Sequence, residues 1–238
     1  MKDAHSLTQT TIAHLLPGLL AYVVSVPAAG LITSRGWPPP LALFLTMLVV
    51  LIPCELGVLN HVRKAAAAGN ERPIVIAYAR RLPAIQYVIL VPLLLSWSFF
   101  CFFVIAPREE RFLKESLSWL PGLIGSPVSS GGSRTAWVAT MALGLLVNGL
   151  ALPIVEELYF RGYLLPRIPC DRRWSPLINS ALFSLYHFFS PWQNLSRTLA
   201  VAPMAYAVSW KRSVYVGILT HCLLNTLAMS MALASLLK

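Results

Sequence analysis

"AIQYVILVPLLLSWSFFCFFVIA", residues 84–106, decides the fold class. It carries no Asp, Glu, Lys, Arg or His. A bilayer core about 30 Å thick is crossed by ~20 apolar residues in helical conformation, and this stretch is long enough. Six further apolar segments flank it, at 11–33, 39–60, 136–165, 176–190, 196–210 and 213–236. The expected fold is all-α: a polytopic transmembrane helical bundle of seven to eight spans, the eighth arising if 213–236 is broken. Composition agrees, with 57% hydrophobic and 12% charged residues and a mean hydropathy of +0.67; soluble domains carry about 25% charge. The first apolar run is too long for a cleaved signal segment and reads as a retained span.

The net charge is +10. A soluble chain so basic would suggest nucleic acid, but no basic helix or aromatic RNA motif accompanies the charge. Lys and Arg instead mark the loops facing an anionic leaflet. With seven spans, Lys2, Arg63, Lys64, Arg72, Arg80, Arg81, Arg167, Arg172, Arg173, Lys211 and Arg212 share one side. Arg35, Arg108, Arg111, Lys114, Arg134, Arg197 and Lys238 share the other. That asymmetry predicts a multi-pass protein of the cytoplasmic membrane with its N-terminus in the cytoplasm, and puts residues 156–161 toward the basic, cytoplasmic end of the fourth span. The four cysteines form no CxxC pair and none ends the chain, so neither a thiolate zinc site nor a prenylation signal is suggested. In the loop 107–135, "REERFLKESLSWL" has apolar residues at 112, 113, 117 and 120 and could form an interfacial helix; Gly131 and Gly132 read as a flexible connector.

Ionisable residues inside spans are costly and mark function. Here they are His14, Glu55, Glu156, Glu157, Arg161, His187 and His221, with Asn148, Asn179 and Asn225 as neutral companions. Glu157 and Arg161 are i, i+4 and can pair on one helix face. Glu156, about 100° round the helix, is then free to point into the bundle. Taken singly, His187 could be a histidine bonded to a nearby oxygen, and His221 with Asn225 a clamp between helices. Together, three spans each bring polar or aromatic groups at one-turn spacing: EExxxR, FxxxH and HxxxN.

The ordered set "EELYFR" (156–161), "FSLYH" (183–187) and "HCLLN" (221–225) resembles the CAAX-protease and bacteriocin-processing family, the intramembrane glutamic endopeptidases that include the Ras-converting CAAX prenyl endopeptidase. The resemblance covers roughly 136–236. It implies residues 1–135 as N-terminal spans and interfacial loops around a catalytic core at 136–238, in one integrated membrane domain. It implies that Glu156 and His187 activate water and that His221 and Asn225 hold the oxyanion, with Glu157, Arg161 and Phe183 in support. A buried glutamate suits a general base, and an imidazole and an amide on one face are both donors. No cofactor is implied. The partners would be the bilayer and a membrane-embedded or membrane-anchored protein substrate, bearing a C-terminal processing or sorting signal or a CaaX-like end.

Two other readings use the same residues. Two glutamates and two histidines could bind zinc, although no HExxH is present and Arg161 would repel a dication. A proton-coupled transporter would spread its polar groups along a path or show inverted repeats, and neither is visible.

Overall fold

The structure, a computed structural model, describes residues 4–68, 75–117 and 132–237. Seven helices occupy the seven apolar segments: α1 Leu7–Thr33, α2 Pro40–Ala68, α3 Ala84–Ser116, α4 Arg134–Arg167, α5 Ser175–Leu185, α6 Asn194–Lys211 and α7 Val214–Leu237. No strand occurs among the described residues, only an isolated antiparallel bridge between Ala79 and Ser213. Five helices, all but α5 and α6, are long and apolar enough to cross a membrane. The 11 residues of α5 rise about 16 Å, roughly half a bilayer core. α7 is unbroken, so the last segment does not split.

The molecule is inside-out relative to a soluble protein. α1 turns Thr10, His14, Gly18, Ala21 and Ser25 inward and leaves Val23, Val26 and Leu31 more than half exposed. Small and polar residues at the helix contacts and apolar residues outside are what a lipid solvent selects.

Four segments of the long helices are widened to i→i+5 hydrogen bonding: Met47–Leu51, Cys101–Ile105, Val147–Ala151 and Glu157–Leu164. Each ends two residues before a proline, at 53, 107, 153 and 166. Proline lacks the amide proton, and its ring crowds the carbonyl one turn back; the helix widens there instead of breaking. Pro17, Pro27, Pro92 and Pro203 sit in ordinary α-helix.

The helices alternate in direction. At one end the Ser6 hydroxyl and Gln9 side chain cap α1 reciprocally, and the His5 amide donates to Arg167 O at 2.9 Å. Arg80 N–H donates to Arg212 O and Val214 N–H to Tyr78 O, so the loops before α3 and α7 and the end of α4 meet there. This is the basic end; Lys2 and Arg72 lie outside the described residues. At the other end Glu109 accepts from the amides of Leu195 and Ser196, capping α6 from α3. The expected interfacial helix is the tail of α3, continuous with it to Ser116; Trp119, Leu120 and Gly131 lie outside the described residues.

Candidate active site

Pro153 and Pro166 register the partner helices on α4. The widened turn before Pro153 frees carbonyls at Asn148 and Gly149, which accept from Asn225 Nδ2 (2.9 Å) and Thr226 Oγ1 (3.2 Å) on α7. The turn before Pro166 frees Gly162 O, taken by the Ala77 amide, while Phe160 O accepts both from the Leu165 amide and, at 3.0 Å, from Asn179 Nδ2 of α5. Asn179 Nδ2 also donates to His14 Nε2, whose Nδ1–H donates to Thr10 O. His14 and Asn179 therefore lock α1, α4 and α5 together and take no place in the cavity described below.

A cavity of about 260 Å³ lies between α4, α5, α6 and α7. Glu156, Phe183, His187, His221 and Asn225 all line it. Glu157 and Arg161 sit behind it, with no solvent exposure. Arg161 NH1 is 3.1 Å from Glu157 Oε1, the i, i+4 ion pair expected from the sequence. Its guanidinium lies 4.0 Å from the centre of the Phe183 ring, which desolvates the cation against an aromatic face. The same Glu157 oxygen is 3.1 Å from His221 Nδ1. A carboxylate only accepts, so Nδ1 carries a proton and Nε2 turns to Glu156, 3.8 Å from Oε2. His187 Nδ1 donates to Phe183 O at 2.8 Å, which leaves the Nε2 lone pair of the neutral ring free. Phe183 packs edge-on against both imidazoles, at 4.8 and 6.0 Å between centroids. Asn225 spends one amide proton on Asn148 O and keeps the second.

Close approach of α7 depends on Gly217, where a Cβ would stand 2.3 Å from Glu157 Oε2. Gly18 of α1 does the same against Tyr186 O, at 2.0 Å.

Three residues of the site escaped the sequence reading. Arg197 falls among the loop charges by its place in the sequence, yet it is buried and lines the cavity. It donates to Ser184 O, Asn194 Oδ1, Ser190 Oγ and Gln193 Oε1, clasping both ends of the turn that carries His187. Glu55 of α2 was noted as an intramembrane acid but joined to nothing; it accepts a 2.7 Å hydrogen bond from Tyr186. Tyr186 stands beside His187 in the second motif, and the motif spacing says nothing of its bond to Glu55. The cavity also differs from expectation in its walls: Ser190, Gln193 and Arg197 bound it toward the end opposite the basic loops. Among the described residues, no three His, Cys, Asp or Glu side chains are grouped to hold a metal ion.

Residues 137–227 match the family described as type II CAAX prenyl endopeptidase Rce1-like. That stretch holds all three motifs and supports the CAAX-protease family assignment drawn from them. It covers less than half of the chain. Five helices of membrane-spanning length fit a multi-pass membrane protein, and over residues 137–227 the chain is similar to a CAAX-type intramembrane protease in general class. It has no match among curated proteins or among solved structures.

Proposed function

We propose that Glu156 and His187 activate a water for peptide hydrolysis without a metal, and that His221 and Asn225 stabilise the oxyanion. The observation that carries this is the single cavity lined by all four side chains, from α4, α7 and the turn after α5. Glu156 takes the proton of the attacking water, and the His187 Nε2 lone pair holds the same water's other hydrogen. The carbonyl oxygen of the substrate gains charge as the C–O bond forms. His221, an imidazolium from before the water attacks, donates Nε2–H to it and keeps that proton throughout, and Asn225 donates its second amide proton. Glu157, itself paired with Arg161, stabilises that imidazolium through Nδ1. The proton on Glu156 passes to the leaving amine as the C–N bond breaks, so atoms and charge balance. Phe183 keeps both imidazoles upright and shields Arg161.

The substrate is a membrane-anchored or membrane-embedded protein cut near the lipid surface, at a C-terminal processing or sorting signal or a CaaX-like end. We place the protein in a cytoplasmic membrane with its N-terminus and basic loops inside.

Comparing protein termini in membranes from cells making the wild-type chain or Glu156→Gln tests this. A precursor should accumulate uncut in the mutant alone, and chelator treatment should leave wild-type cleavage unchanged. Identical termini in both membranes would overturn the protease reading; loss of cleavage restored by added zinc would overturn the metal-free one.

A further inference from the structure

Two arginines are buried among the described residues, Arg161 and Arg197. Arg161 has a counter-ion in Glu157. Arg197 makes no ion pair among the described residues. Its hydrogen bonds all go to neutral oxygens. Nη1 donates to Ser184 O at 3.3 Å and Asn194 Oδ1 at 3.4 Å, and Nη2 to Ser190 Oγ at 2.6 Å and Gln193 Oε1 at 3.4 Å. Nε–H takes none of these acceptors. Glu109, the acid that caps the same helix, spends both oxygens on the Leu195 and Ser196 amides. A buried guanidinium without an opposite charge is expensive to keep. Three of its four bonds lie beyond the usual N–H···O range of about 2.7–3.2 Å, so the turn it clasps offsets that cost poorly.

Arg197 lines the cavity that also holds Glu156, His187, His221 and Asn225. We propose that Arg197, with Ser190 and Gln193 beside it, binds the free C-terminal carboxylate of the substrate, so that the site reads a chain end and cuts a short distance before it. The inference rests on the reading of this cavity as a peptidase site and deepens it, naming a terminus rather than an interior segment as what is recognised. A guanidinium presents a planar fork of donors that matches a carboxylate with two parallel hydrogen bonds. The Ser190 hydroxyl, released from Arg197, is a further donor to the same anion. The carboxylate supplies the counter-charge that the resting chain lacks, and the neutral acceptors now around Arg197 give way to a charged one. The cavity, at about 260 Å³, is small beside the usual ligand pocket of about 300–1,000 Å³. It suits a short peptide end. A purely structural Arg197 would hold the turn that carries His187 and would be indifferent to the charge on the substrate's terminus.

Calorimetric titration of the purified chain in lipid nanodiscs separates the two roles without needing the natural substrate. The probes are acetyl-trileucine with a free carboxylate and the same peptide as its C-terminal amide. Wild type should bind the acid about tenfold or more tighter than the amide, as expected for a hydrogen-bonded charge pair. Arg197→Gln should bind both alike, at the affinity of the amide. Thermal unfolding checks that the variant is folded. If it is not, Arg197→Lys takes its place; it keeps the charge without the fork and should narrow the preference. Equal binding of acid and amide by wild type, binding of neither in the millimolar range, or a preference unchanged in the variant would overturn the carboxylate site. Glycerol 3-phosphate competing as well as the acid would reassign it to a lipid headgroup and overturn it too. Precursor accumulation in Glu156→Gln tests the peptidase reading separately. If the precursor accumulates while the acid preference is absent, only the role of Arg197 is wrong; if the preference holds and no precursor accumulates, the peptidase reading is what fails.

Discussion

Glu157 pairs with one cation and accepts from one imidazole at a single oxygen, and that crowding explains why the neighbouring helix carries glycine. Oε1 meets both Arg161 NH1 and His221 Nδ1 at 3.1 Å. A buried ion pair is retained only where its geometry offsets desolvation, and removing one partner costs about 3–5 kcal/mol. Gly217→Ala places a methyl carbon in contact with Glu157 Oε2, and overpacking of this kind costs about 1–3 kcal/mol. We expect Gly217→Ala to lower the unfolding temperature in detergent and to slow precursor cleavage together, because the carboxylate that moves is the one orienting His221. Unchanged unfolding and cleavage would show that α7 does not seat on Glu157.

Prolines set the element-scale geometry. The widened turn ahead of Pro153 hands Asn148 O and Gly149 O to Asn225 and Thr226, fixing the rotation and height of α7 against α4. Pro153→Ala allows the turn to close to ordinary i→i+4 bonding, which withdraws those carbonyls. Misplacement of a catalytic group by 1 Å can cost about 10²-fold in rate. The variant should therefore keep its helical content by circular dichroism and lose cleavage by roughly that factor; full activity with the same helix content would contradict the role. This layer was illegible in the sequence in an instructive way. The prolines were visible as tolerated kinks, but a proline does not say which carbonyl it frees or who takes it. The motif spacing was legible because i, i+4 repeats put Glu157 with Arg161 and His221 with Asn225 on one face whatever the helix packs against. Glu55 and Tyr186 were not, because their bond joins positions 131 residues apart and no local period encodes it. Arg197 was misread because charge next to a span end looks the same whether it faces water or the cavity.

At the scale of the whole molecule, the loops that carry most of the basic residues converge on one end, and the cavity wall formed by Ser190 and Gln193 points to the other. The proposed topology rests on charge and can be tested by cysteine labelling. Cys170 lies in the basic loop, where burial and then the neighbouring Asp171 carboxylate push its thiol up. With the other three cysteines replaced, Cys170 should resist a membrane-impermeant maleimide in intact cells and react after permeabilisation, faster at alkaline pH as the thiolate forms. Arg35→Cys in a chain lacking the native cysteines should react from outside. Labelling of Cys170 in intact cells would reverse the orientation. The central claim is that Glu156, His187, His221 and Asn225 work as one unit around one cavity, and residues that act as a unit lose activity non-additively. The most direct measurement is the rate of precursor cleavage in Glu156→Gln, His221→Ala and the two combined. The account predicts that the double variant is no slower than Glu156→Gln alone; losses that multiply would mean the two helices serve separate sites.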